Sequence, residues 1–213
     1  MRYPNLKEEK QFWEKGYKCV VGIDEVGRGA LGGPVVAAAV MIKKFPISNF
    51  QFSKIRDSKK LTPKKREDFY KLIRKDPNIE WGIGKVSEKL IDKINIFEAT
   101  KLAMVKAVEN LNAKNQKPKI DCLILDGNFK LGLKIPQKSI VKGDEKVLSI
   151  ALASILAKVY RDKIMKRYGK KFPEYGFERH KGYPTKFHLK MLKKYGPSPI
   201  HRKSFSPLKN FLS

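Results

Sequence analysis

The sequence predicts an α/β fold, a sheet with helical cover followed by a basic helical C-terminal region, on three observations. Strand-like runs dominate the first half, the β-branched-rich Lys18–Ile23 and Val35–Ile42 and then Trp81–Val86, with a short apolar run, Ile120–Leu125, beyond it. Patterns of helical period separate some of these runs, so strands and helices share one chain order. Long helical stretches then dominate the second half, and such a mixture buries its apolar faces as helices packed on a sheet.

Each element has a local reason. Lys18–Ile23 and Val35–Ile42 flank the glycine-rich segment 27–34, which reads as two neighbouring strands joined by a functional loop. Thr62 followed by Pro63 is a helix start, with Phe69, Leu72 and Ile73 as its apolar stripe. Trp81–Val86 is a third strand. Ser87 opens a short helical piece, and Phe97–Asn112 follows with Leu102, Val105, Val108 and Leu111 on one face. Ile120–Leu125 is a buried strand that delivers Asp126 at its end, and Ser139–Val141 is a last strand before Lys142-Gly143-Asp144. Val147–Tyr168 is a long alanine-containing helix; Thr185–Tyr195 is another, capped by Thr185 and stopped by Gly196-Pro197. The 213 residues fit one main domain: an N-terminal extension over 1–17, a core over 18–168 and a basic helical region over 169–213.

The bulk properties narrow the function. Lys and Arg number 47 against 21 Asp and Glu, a formal charge of +26, which attracts polyanions by releasing their condensed counterions. Cys19 and Cys122 sit inside apolar runs and form neither a disulfide framework nor a zinc site, so a reducing compartment is expected. The first 18 residues are charged and broken by Pro4 and Gly16, unlike a secretory signal. The longest apolar segment, around Ala30–Ile42, contains glycines and a proline and falls short of the roughly 20 residues of a membrane span. A soluble, cytoplasmic chain with no membrane partner is the expectation.

The chemistry is carried by carboxylates. Gly22-Ile23-Asp24-Glu25-Val26-Gly27-Arg28-Gly29 sets two acids after a strand-like run and follows them with a flexible basic loop. One adjacent acid pair means little, since a chain of this composition holds roughly two by chance. Position adds weight: Asp24, Asp126 and Asp144 each follow an apolar run and lie next to or one residue from a glycine. If those strand ends are neighbours, they and Glu25 meet in one place, where their repulsion calls for divalent cations. Oxygen ligands without histidine or cysteine suit Mg²⁺ or Mn²⁺. Two such ions activate water and stabilise a leaving oxygen in phosphodiester hydrolysis. Successive side chains of a strand face opposite ways, so Asp24 and Glu25 share a site only where the strand ends or bends, and Gly27 and Gly29 supply a place for that bend.

Other chemistries find less support. His180, His188 and His201 lie in basic stretches of the C-terminal third without a nucleophile elbow, and read as structural or phosphate-facing. Gly27-Arg28-Gly29 lacks the further glycines of a dinucleotide fingerprint, and no Walker-type Gly-Lys-Ser/Thr occurs, so no nucleotide cofactor is expected.

Six ordered blocks closely resemble the motifs of bacterial ribonuclease HII. They are the segment Gly22 to Gly29, Asp57-Ser58-Lys59-Lys60-Leu61, Leu125-Asp126-Gly127-Asn128, Lys142-Gly143-Asp144, the stretch Ala153 to Asp162, and His180-Lys181-Gly182-Tyr183-Pro184-Thr185. With the last match at Phe205 they span nearly the whole chain. The resemblance implies a ribonuclease H-like fold with a five-stranded mixed sheet flanked by helices. It also implies an endoribonuclease acting on RNA/DNA hybrids and on duplex DNA containing ribonucleotides, cutting 5′ of the ribonucleotide to leave 3′-hydroxyl and 5′-phosphate ends.

The family's acidic residues match Asp24, Glu25, Asp126 and Asp144, as catalytic residues and ligands of Mg²⁺ or Mn²⁺. Gly27, Arg28 and Gly29 match its sensor of the ribose 2′-hydroxyl, the group that distinguishes RNA from DNA. Tyr183 matches the aromatic residue that stacks on the next deoxyribose, and Lys59 and Lys60 stand where they can hold backbone phosphates. A monomer is expected. Two other readings stay open on sequence: a non-catalytic nucleic-acid-binding protein with structural acids, and another two-metal nuclease or strand-transfer enzyme on the same fold.

Overall fold

The computed structural model describes residues 3–43, 52, 55, 61–114 and 120–211. Lys59 and Lys60 lie outside the described residues. Five strands form one sheet in the order β3-β2-β1-β4-β5: β1 (Val20–Val26), β2 (Val35–Ile42), β3 (Ile79–Val86), β4 (Cys122–Asp126) and β5 (Gln137–Ile140). β1–β2 and β2–β3 are antiparallel; β1–β4 and β4–β5 are parallel.

Period-two alternation sorts the strand residues into two cores. On one face Val20, Val36, Ala38, Val40 and Ile124 pack under α4 (Leu148–Lys171), with α1 (Lys7–Glu14) and α2 (Pro63–Lys75) at its flank. On the other, Val21, Ile23, Ala37, Ala39 and Leu123 pack under α3 (Glu88–Lys114). β2 is buried along its whole length because both faces are covered, which is why its sequence reads as an unbroken apolar run. The C-terminal helices α5 (Phe177–His180) and α6 (Lys186–Tyr195) follow α4. Among the described residues no helix is long and apolar enough to cross a membrane.

Helix starts follow the sequence signals. Thr62 Oγ1 accepts the Lys65 amide at the head of α2, and Thr185 Oγ1 accepts the His188 amide at the head of α6. α3 is kinked at Asn95, with φ 64°, and the Asn95 side chain accepts the Phe97 and Glu98 amides. That cap separates the short piece from the longer helix expected after it.

Three details differ from the sequence reading. β1 continues past Ile23 through Asp24 and Glu25 to Val26. The buried face of α3 is Ala99, Ala103, Met104, Ala107, Val108 and Leu111, while Leu102 and Val105 are only half-buried. Small residues face the sheet there because the helix lies so close that a Cβ at Gly82 meets the Ala107 carbonyl. In α2, Tyr70 and Ile73 are buried, whereas Leu72 is exposed. Tyr70 and Ile73 join the core shared with α4, where the Lys163 ammonium lies 4.1 Å from the Tyr70 ring centroid.

The N-terminal segment is tied to the core. Leu6 and Trp13 join the α4 layer, and Asn5 exchanges backbone hydrogen bonds with Lys146 and Leu148. Glu9 Oε1 accepts the Ser149 amide at 2.9 Å, so α1 supplies the cap that the first turn of α4 lacks locally.

Candidate active site

Parallel pairing of β1 with β4 fixes where the acids meet. Ile23 is paired with Leu125, so the next residues, Asp24 and Asp126, emerge side by side at the C-terminal ends of adjacent strands. Beyond these ends lies a cavity of about 340 Å³ lined by Asp24, Glu25, Val26, the Gly27–Gly29 loop, Arg66, Asp126, Ser154, Lys158 and Tyr183. Crevices at the carboxyl ends of strands are the common ligand sites of α/β sheets.

Asp24 and Glu25 reach this cavity from within a regular strand. Their register with Ala38 and Ala37 is unbroken, so no bend separates them. Asp24 projects toward α4 and Ser154, and Glu25 toward the opposite face by alternation. Both are within reach because the cavity wraps the strand end, and the chain turns away only at Gly27, with φ 94°. Asp24 is buried, and its Oδ1 accepts the Glu25 amide at 2.7 Å. Arg28 Nη1 lies 3.4 Å from Glu25 Oε1.

Asp126 Oδ1 accepts the Gly143 amide at 2.8 Å. This bond links β4 to the short 3-10 turn Gly143–Glu145, which carries Asp144. Asp144 does not line the cavity; it is buried. Its charge still acts on Asp24, whose carboxyl is pushed well above the usual carboxylate range by burial, then by Glu25 and Asp126, then by Asp144. Burial also raises Glu25, against the pull of Arg28.

The donor set fits a hard divalent cation: the groups are carboxylate oxygens, and the Asp24 carboxyl, raised first by burial and then by Glu25 and Asp126, is one whose charged form a cation would favour. Among the described residues no three His, Cys, Asp or Glu side chains close into a ready-made cage, so the carboxylates stand apart around a shared space.

Sequence reasoning missed Ser154, Lys158 and Arg66. Ser154 hydrogen-bonds the Asp24 carboxyl and, four residues on, Lys158 lies on the same helix face. α4 comes this close to β1 because residue 22 is glycine; a Cβ there stands 2.6 Å from the Ile150 nitrogen. That strand glycine was the available signal. The three histidines prove to be buried, not phosphate-facing, and both cysteines are buried and free.

The sequence profile of the family described as Ribonuclease HII matches residues 21–208. A ribonuclease HII of Chlamydia trachomatis is 50% identical over 201 residues, covering 94% of this chain and 88% of the relative. Among solved structures, the ribonuclease H2 of Pyrococcus horikoshii OT3 superposes with a TM-score of 0.71 at 26% identity, covering 91% of this chain and 96% of that one. The ribonuclease HII of Archaeoglobus fulgidus, solved in complex with PCNA, gives a TM-score of 0.71 at 25% identity, over 88% of this chain and 95% of that one. With a ribonuclease H-like sheet, acids at the ends of its central strands and these matches along nearly its full length, the chain belongs to the ribonuclease HII family of metal-dependent nucleases that cleave the RNA of RNA/DNA hybrids.

Proposed function

We propose that the chain is an endonuclease that recognises a ribonucleotide in duplex DNA, or in the RNA strand of a hybrid. It cuts on the 5′ side and leaves 3′-hydroxyl and 5′-phosphate ends. One observation carries this reading: acids, a glycine-rich basic loop and an aromatic ring line the same cavity. Asp24, Glu25 and Asp126, with Asp144 buried beside them, would hold Mg²⁺ or Mn²⁺, which would supply Lewis acidity at the scissile phosphate and activate a water.

The chain's own groups do the positioning. Backbone amides at Gly27–Gly29 approach the 2′-hydroxyl closely, since no Cβ at either glycine stands in the way. The half-buried Tyr183 ring packs on the following sugar when that sugar is deoxyribose. Arg28, Arg66 and Lys158 face the same space with positive charge and orient phosphates. Burial and the neighbouring carboxylates raise the Asp24 carboxyl, and a cation placed among them would favour its charged, ligating form. Lys59 and Lys60 belong to the proposed phosphate contacts.

The test is a duplex DNA with one ribonucleotide, incubated with Mg²⁺ or Mn²⁺. A single nick 5′ of the ribonucleotide, lost on chelation, is the expected result. Intact substrate under both ions, or equal cutting of all-DNA duplex, contradicts the proposal.

A further inference from the structure

The Gly27–Gly29 loop and Tyr183 lie 154 or more residues apart in sequence, and the proposed ribose reading needs them at a fixed spacing. What fixes it is a hydrogen-bonded frame behind both, and the inference below rests on the proposed reading of the loop and ring.

All three histidines of the chain belong to the frame. His188 Nδ1 lies 2.9 Å from the Tyr183 carbonyl, and the Gly182 amide donates to His180 Nδ1 at 3.1 Å. His180 Nε2 lies 2.8 Å from the Tyr175 carbonyl, and its ring stacks on His188 with centroids 4.1 Å apart. His188 Nε2 meets His201 Nε2 at 2.9 Å, and His201 Nδ1 accepts the Ser198 amide at 2.8 Å.

Proton bookkeeping assigns every tautomer. Amides only donate, so His180 Nδ1 and His201 Nδ1 are bare; carbonyls only accept, so His188 Nδ1 and His180 Nε2 carry hydrogen. His201 Nε2–H therefore donates to the bare His188 Nε2. The rings form a one-directional relay from Ser198 to the Tyr183 carbonyl, and an added proton sets N–H against N–H.

Two fully buried arginines complete the frame. Arg161 donates to the Pro34, Gly32 and Lys181 carbonyls, so one guanidinium ties the loop to the Tyr183 segment. Its guanidinium carbon also lies 5.5 Å from the Tyr183 ring centroid. Arg202 donates from Nη1 to the Arg28 carbonyl at 2.9 Å and from Nε and Nη2 to Gly33. The backbone adds Leu31 N to Gly182 O, Arg202 N to Leu31 O and Gly33 N to Ile200 O, each 2.8 Å.

Stability alone does not explain this design. Burying a cation costs several kcal/mol, and a well-packed apolar group is commonly as stable or better. A planar fork aimed at backbone carbonyls gives direction that an apolar group does not. The acids stand on β1, on β4 and on the 3-10 turn after β5, outside the frame, so slack in it moves the sugar readers relative to each other more than it moves the acids.

We propose that His188 and Arg202 are positioning residues whose frame sets the spacing between the Gly27–Gly29 loop and Tyr183, and thereby the preference for a ribonucleotide followed by a deoxyribonucleotide over continuous RNA. The measurement is kcat/KM on a duplex with one ribonucleotide, divided by kcat/KM on a continuous RNA/DNA hybrid. His188→Phe lowers this ratio about tenfold, within the penalty known for ångström-scale misplacement. His188→Asn, which keeps a donor toward the Tyr183 carbonyl, retains most of the ratio, and Arg202→Lys lowers it.

Equal losses on both substrates in His188→Phe and Arg202→Lys overturn the proposal, because a merely structural role weakens both alike. Should His188→Phe fail to fold, nitrogen NMR of the wild-type imidazoles at neutral pH decides. Hydrogen on His188 Nδ1 and on Nε2 of His180 and His201 supports the frame; an imidazolium or another tautomer overturns it. Tyr183→Ala serves as the separate control. If it leaves the ratio unchanged, the underlying reading falls and this inference with it; if it lowers the ratio while His188→Phe does not, the frame alone falls.

Discussion

Glu9 and Ser149, 140 positions apart in the chain, are joined by a hydrogen bond of 2.9 Å that caps the helix carrying Ser154 and Lys158. Glu9→Ala removes the acceptor and leaves a buried amide at the helix head. A loss of about 1–2 kcal/mol in urea unfolding is expected. Burial pushes the Glu9 carboxyl up, and Glu9→Gln, which keeps an oxygen to accept the Ser149 amide, retains most of the stability.

Asp126→Asn keeps an oxygen for the Gly143 amide while removing a negative charge from the cavity. Turnover is expected to fall by at least about 10²–10³-fold, the scale of losing one charge-stabilising group. Affinity for an uncleaved duplex, measured by fluorescence anisotropy in the presence of chelator, stays within a few-fold, because the basic surface is intact. Equal loss of binding and cutting contradicts a metal-ligand role.

The histidines predict acid sensitivity with a definite sign. Burial pulls His188 down to about 4 and His201, also facing His188, down to about 3, against an unfolded value near 6.5. His180 is lowered too, with Glu178 and Lys181 acting in opposite senses on it. Groups held neutral in the fold contribute full stability above the unfolded value, and that contribution shrinks as pH falls from about 6.5 toward the folded values. Unfolding free energies from urea titrations at pH 7.5 and pH 5 are expected to differ by about 2 kcal/mol for each of His188 and His201, about 4 kcal/mol together. His188→Phe flattens the difference.

Gly22→Ala tests how α4 reaches the site. The added Cβ stands 2.6 Å from the Ile150 nitrogen, backbone that has no side-chain torsion to yield. Overpacking of about 1–3 kcal/mol is expected. A thermal midpoint unchanged from wild type contradicts this close approach. Because Ser154 and Lys158 ride on the displaced helix, cutting should weaken along with stability.

The sheet and its covering helices were legible because β-branched runs and helical caps are local signals. Val35–Ile42 and the Thr62-Pro63 start appear as read. α1 was not legible as a helix: its few apolar positions, such as Trp13, gain meaning only from the α4 layer they join. The face of α3 shifted because alanines, which look neutral in a sequence, face a sheet that carries glycines at Gly82 and Gly84. At the site, the order of strand ends announced the acids, but not that Asp144 is buried behind Asp126. The roles of Arg161 and Arg202 were hidden among 47 basic residues. Nothing local separates an arginine that will be buried against carbonyls from one that will face solvent.

The hydrogen bond from Arg202 to the Arg28 carbonyl spans 174 positions of chain. During synthesis from the N-terminus, the strands bearing Asp24 and Asp126 are both made before residue 202 exists. The cavity acids thus precede the residue that clasps the Gly27–Gly29 loop. That clasp on the Gly27–Gly29 loop can therefore close only once nearly the whole chain has been made.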